Sequence, residues 1–158
     1  MKGRPEIIHT LNAILVGELT AINQYFLGAK VSGRHGYEGL AHKLRDESIE
    51  EMKHAEKLID RILFLDGLPN VQKLEKVRVG ETVPEQLTAD LALERQSVER
   101  LNAGVQLARK HGDNGTAELL EQMVLGAEQH VDWLETQLSL IRELGDVAYL
   151  AQQIHKPA

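Results

Sequence analysis

The sequence predicts an all-α fold: a four-helix bundle with one long crossover connection and a short C-terminal fifth helix. Three observations predict it. Apolar residues recur at three- and four-residue steps through nearly the whole chain. Aromatic residues make up only 4% of the 158 residues. The core must therefore be aliphatic, which suits helix-on-helix packing better than a sheet sandwich. Turn-forming residues divide the pattern into four long runs, joined by a short, a long and a short connection.

The first helix carries Ile7, Ile8, Leu11, Ile14, Leu15, Leu19, Ile22 and Phe26 on one face, with Pro5 near its first turn. It fades at Gly33–Gly36. A second helix is expected from about Tyr37 to Asp66, through Leu40, Leu44, Ile49, Leu58, Ile62 and Leu65. Gly67, Leu68 and Pro69 stop it in the Gly-then-Pro order of a helix end. Asn70–Glu81 is neither clean helix nor strand. Thr82 reads as the N-cap of a third helix, with Pro84 in its first turn and Glu85 at the capping-box position. That helix should run to Lys110. His111–Gly115 makes a turn, and a fourth helix is expected over Thr116–Leu144. Gly145 then breaks the chain before a fifth helix over Val147–Ile154. Short loops make antiparallel neighbours, whereas the long middle segment lets the third helix run antiparallel to the second or cross over to lie parallel to it.

Length suits one domain spanning residues 1–158. The formal net charge of −6 argues against nucleic acid as a partner, because phosphate binding needs a basic surface. The chain has no cysteine, which excludes disulfides, iron–sulfur ligation and thiol catalysis. No stretch approaches the roughly 20 apolar residues of a membrane span, and the N-terminus lacks a signal-peptide core. The expectation is a cytoplasmic chain with no membrane partner.

Against this background, one constellation carries chemistry. Glu51 and His54 form a Glu-x-x-His pair on one face of the second helix. Glu18, Glu94 and His130 lie near the midpoints of the first, third and fourth helices. In an antiparallel bundle midpoints fall at similar depth, so the five side chains can meet in the core. Two adjacent iron ions accept such oxygen and imidazole donors, and a buried carboxylate without a cation is costly. Glu residues on two helices with Glu-x-x-His pairs on others are the ligand pattern of di-iron helix bundles. Taken singly, each residue reads as a surface group, as Glu47, Glu50 and Glu56 do. The coincidence across four helices favours a site.

The segments Asp46–Asn70, Gly17–Phe26 and His130–Leu138 resemble the bacterioferritins, and the resemblance extends over essentially the whole chain. It implies a ferritin-like fold, a hollow 24-subunit shell, oxidation of Fe(II) within each subunit and storage of ferric mineral. It also implies that Glu18, Glu51, His54, Glu94 and His130 are both metal ligands and ferroxidase catalytic residues. The sixth ligand should be a Glu three residues before His130, but that residue is Ala127. Glu128 lies about 200° around the helix from His130, and Glu121 is roughly 13 Å along the axis, so neither replaces it. One iron position should be weakened.

Met52 follows Glu51 by about 100° of helix and should face sideways. Ile49, Ala55 and Ile59 extend an apolar line there, beside Leu19, Ile22, Asn23 and Phe26. By itself this reads as a subunit interface, since Met fills irregular packing gaps. The resemblance implies instead an axial ligand for b-type haem, one Met from each of two subunits. It further implies electron delivery by a bacterioferritin-associated ferredoxin. Some members of the family pair a haem-bearing, ferroxidase-deficient subunit with a second, ferroxidase-competent bacterioferritin subunit, and this chain is similar to the first kind. A fully active ferroxidase and a purely structural shell subunit are the alternatives. Tyr25 and Trp133 read as core or interface aromatics, although the resemblance implies that both lie near the di-iron centre, and His9, His35, His42, His111 and His155 read as surface residues.

Overall fold

A computed structural model describes residues 1–155, so residues 156–158 of the expected domain lie outside the described residues. Five helices appear in order: α1 (Pro5–Arg34), α2 (Glu38–Phe64), α3 (Val83–Lys110), α4 (Asn114–Leu144) and α5 (Asp146–Gln153). Pro5 occupies the first turn of α1, where its missing N–H costs nothing. Thr82 caps α3 by accepting from the Glu85 backbone N–H at 3.3 Å. The Glu85 carboxylate reaches the N–H of Glu81 instead of closing a box on Thr82. The fourth helix starts two residues earlier than its periodicity suggests, because Asp113 caps it through the Thr116 N–H at 3.0 Å.

The end of α2 differs instructively from expectation. Asp66, with φ 59°, takes the left-handed position, and Gly67 donates its N–H to Ile62 O at 2.9 Å. Glycine is needed at 67 for closeness: a Cβ there would stand 2.8 Å from the Ile8 Cγ2. Gly67 thus lets α2 end against the start of α1.

Hydrogen bonds along the long connection settle the helix directions. Asn70 N–H reaches the Asn12 side chain, Glu75 N–H reaches Thr20 Oγ1, and Arg78 N–H reaches Gln24 Oε1. The connection therefore climbs α1 from its N-terminal third toward its C-terminal end. There Gly80 bonds to Gln86 in the first turn of α3. The third helix then descends antiparallel to α1 and parallel to α2, which is the crossover arrangement. Helices α1 and α2 pack as one hairpin, α3 and α4 as another, with α1 against α3.

Two apolar clusters fill the bundle. One contains Ile7, Leu11, Leu15, Leu58, Ile62, Leu101, Leu120 and Met123. The other contains Leu40, Leu87, Leu91, Leu134, Ile141 and Tyr149, the last from α5. Burying each such side chain contributes about 1.5–3 kcal/mol. The α5 segment turns back at Gly145, φ 82°, and Tyr149 donates to Gln137 Oε1 at 2.7 Å. Between the two clusters lies a polar layer: Glu18, Gln24, Glu51, Asp90, Glu94 and His130 are all buried. Among the described residues, no helix is long and apolar enough to cross a membrane.

Candidate metal centre

The polar layer contains every expected ligand. Glu18 from α1, Glu51 from α2, Glu94 from α3 and His130 from α4 are buried, and His54 is mostly so. His54 Nδ1 lies 3.3 Å from Glu51 Oε2 and 3.7 Å from Glu18 Oε2. On the other side, His130 Nδ1 lies 3.0 Å from Glu94 Oε1. One donor atom from each of Glu18, Glu51 and His54 lies within 4.8 Å of the other two. Bundle geometry explains the convergence: these positions sit at the same height on four helices, each with its apolar neighbours turned into the clusters above and below.

A second group of three meets the same distance: Glu47, Glu51 and His130. This corrects the reading of Glu47 as a solvated residue. Its side chain is only 14% exposed, and its carboxylate is 3.4 Å from His130 Nδ1. The sequence held a signal, since Glu47 precedes Glu51 by four residues and shares its face. By contrast, Glu50 and Glu56 are exposed, as anticipated. Ala127 is buried beside the cluster while Glu128 faces solvent, so no α4 carboxylate takes the place expected of residue 127. At position 126 an added Cβ would meet the His54 ring at an ordinary van der Waals distance, 3.5 Å from Cε1.

Electrostatics follow from burial. Desolvation pushes the Glu18 pKa up, with His54 acting in the opposite direction. Burial resists the charge on His54, but the Glu18 carboxylate outweighs it and raises that pKa. At 3.7 Å the Glu18–His54 contact is an ion pair rather than a hydrogen bond. Burial also pushes Asp90 up to about 6, although Gln24 and Gln86 both donate to its carboxylate. Glu18 Oε2 and His130 Nε2 are buried without hydrogen-bond partners among the described residues. Buried polar atoms ordinarily have partners, so this layer is built to meet something besides protein. Donors of this chemistry, carboxylate oxygen and imidazole nitrogen, fit iron.

Two aromatic residues stand beside this centre, where the resemblance implies them. Tyr25 is fully buried and donates its hydroxyl to Glu94 Oε1. Burial first, and Glu94 second, push its pKa well up. Its ring meets His130 edge-on at 5.1 Å, and Trp133 lies 6.0 Å from His130. His9, His35, His42 and His155 are exposed, and His111 is half-buried, away from the cluster.

Met52 is not part of the cluster. It is 56% exposed, and Ile49 (40%) and Phe26 (54%) are exposed as well. Ala55, expected to extend that apolar line, instead turns into the core.

The ferritin-like domain model matches residues 8–144. The chain is 48% identical over 157 residues to bacterioferritin from Mycobacterium leprae, covering 99% of both chains. The chain belongs to the bacterioferritin family. It is also 47% identical to the Mycobacterium tuberculosis H37Rv bacterioferritin, again over 99% of both chains. Across a wider distance, it is 42% identical to the Brucella melitensis bacterioferritin over 94% of this chain and 92% of that one. The matched residues 8–144 include Glu18, Glu51, His54, Glu94 and His130.

Proposed function

We propose that this chain is an iron-storage subunit whose single ferritin-like domain binds iron inside the bundle and assembles into a hollow 24-subunit shell. The observation that carries the reading is the buried layer in which two three-donor groups share Glu51. Four carboxylates there face two imidazoles, and among the described residues no Lys or Arg ion pair reaches Glu18, Glu51 or Glu94. The burial penalty of a carboxylate is several kcal/mol unless a cation offsets it. Fe(II) entering the layer supplies that cation as substrate. Glu18, Glu51 and His54 would hold one ion, and Glu94 and His130 would serve the other.

The second position is the weaker one because Ala127 offers no donor. Fe(II) oxidation by O2 in an assembly of this chain alone is therefore slow, and a ferroxidase-competent bacterioferritin subunit is the fitting shell partner. Aerobic loading with Fe(II), followed by gel filtration, tests the reading. The parent should retain many irons per subunit in a shell-sized peak, and Glu51→Ala should retain far fewer. An iron-free parent peak would refute storage.

Haem fits the outer face as a half-site. Met52 presents an exposed thioether, Ile49 and Phe26 are exposed as well, and a second copy related by a two-fold axis would present the same set. When bound, b-type haem supplies a one-electron relay at a potential raised by thioether ligation. A bacterioferritin-associated ferredoxin is the proposed electron donor for iron release. Haem absorbance of purified Met52→Ala should be nearly abolished. Full haem in that variant would show the assignment to be wrong.

A further inference from the structure

We propose that Glu47 supplies the carboxylate that residue 127 lacks, so that Glu47, Glu51 and His130 hold the second cation. This inference rests on the proposed iron-binding reading of the buried layer and deepens it.

Geometry is the first support. Glu47 Oε2 lies 3.4 Å from His130 Nδ1, and donor atoms of Glu47, Glu51 and His130 lie within 4.8 Å of one another. Glu47 and Glu51 are one helical turn apart on α2, so a single rigid helix fixes their spacing. Ala127 occupies the α4 surface beside His130 and is 4% exposed. Its methyl group offers no donor to a cation. Independent support comes from Glu18 Oε2, buried and without a hydrogen-bond partner, which faces the His54 side of the same layer. A layer with an orphaned carboxylate oxygen at one edge and two carboxylates converging on His130 at the other asks for more than one cation.

A simple Glu47–His130 ion pair accounts for less. His130 Nδ1 already has Glu94 at 3.0 Å, and Glu51, in the same three-donor group, has no Lys or Arg ion pair among the described residues. Lys43 adds a distinguishing feature. Its Nζ holds Glu47 Oε1 at 2.9 Å and lies 5.1 Å from the centre of the Trp133 ring. One oxygen of Glu47 is thus tied to a cation at the rim while the other faces His130. Any metal at the second position competes with Lys43 for this carboxylate, so it binds more weakly than the ion held by Glu18, Glu51 and His54.

The test is Co(II) binding to the full-length protein after iron is removed by reduction and chelation. Equilibrium dialysis gives the stoichiometry, and visible absorption reports the ligand field. The parent should bind two Co(II) per chain, the second more weakly. Glu47→Gln should weaken the second site at least about tenfold, the scale of losing a metal-supporting group. Lys43→Gln should tighten it. Adding Ala127→Glu to Glu47→Gln should restore two sites. A second site unchanged in Glu47→Gln, or a parent that binds only one Co(II), overturns the role of Glu47 while leaving the first position standing. No binding in any variant overturns the iron-binding reading as well. Should Glu47→Gln fail to fold, Co(II)-loaded crystals of the parent decide: an anomalous peak on the Glu47 carboxylate supports the proposal, and a peak pair without Glu47 overturns it.

Discussion

Two polar clusters tie α2 to α4, and they are built on opposite principles. Near one end of the bundle, Arg61 Nη2 donates to Asp113 Oδ1 at 2.8 Å and its Nε donates to Thr116 Oγ1 at 3.0 Å. Thr116 in turn donates its hydroxyl to Asp113 Oδ2 at 2.6 Å. A fixed cation meets a fixed anion, and the helix cap is satisfied by the same carboxylate. Around Glu51, three turns earlier on α2, carboxylates outnumber imidazoles and Glu18 Oε2 has no partner. The first cluster is complete as a structural tie. The second carries a burial cost that protonation of Glu18 or an added cation offsets, and the proposed iron reading assigns the cation.

The contrast can be broken by mutation, and the largest effect belongs to the shared ligand. A metal at a hundredfold its dissociation constant stabilises the native state by about 2.7 kcal/mol per site. Calorimetry of the parent with Zn(II) should therefore show a clear rise in Tm. Glu51→Ala should show almost none, since both donor groups include Glu51. An undiminished rise would mean that the metal binds elsewhere.

The structural tie should respond in the other direction, without metal. Asp113→Ala removes the α4 cap and strands the Arg61 guanidinium, at a cost of about 1–2 kcal/mol. Its urea midpoint should fall with or without Zn(II). Thr116 and Arg61 together hold the Asp113 pKa below its ordinary value, against the effect of burial. That stabilisation is present above the ordinary carboxylate range and is lost as pH falls through the lowered pKa. Asp113→Ala should accordingly lose its disadvantage in acid.

The smallest effect has the opposite sign. Burial raises the Glu18 pKa, so the native chain binds more protons than the unfolded chain within the carboxylate range. Ionised Glu18 thus costs stability above its raised pKa, and the cost disappears below the ordinary carboxylate value. Metal-free Glu18→Gln should melt a few degrees higher than the parent at pH 7 and at the same temperature at pH 4. A lower Tm at pH 7 would show that the His54 contact outweighs burial.

Much of this contrast was legible in the sequence. Periodicity located the four long helices within a few residues, and matching midpoints brought Glu18, Glu51, His54, Glu94 and His130 together. The crossover was legible in the length of the middle connection and in the resemblance, whereas its path along α1 was not, because that depends on the Asn12, Thr20 and Gln24 side chains receiving its backbone. Asp66 taking the left-handed turn was hidden for a similar reason: the neighbouring Gly67 is reserved for close packing on Ile8. The signal for Glu47, its i,i+4 spacing to Glu51, is weak because DESIEEMKHAEK offers five acidic residues, and the contact with His130 on α4 is what singles it out. Ala55 left the predicted Met52 line because the core took it.

The most direct test of the central claim is stopped-flow oxidation of Fe(II) in air, at two irons per subunit, by the parent and by Ala127→Glu. The account predicts slow oxidation by the parent and an acceleration of at least about tenfold in the variant, the scale of restoring one metal-site group. Equal rates in the two proteins would contradict the claim that residue 127 limits this centre.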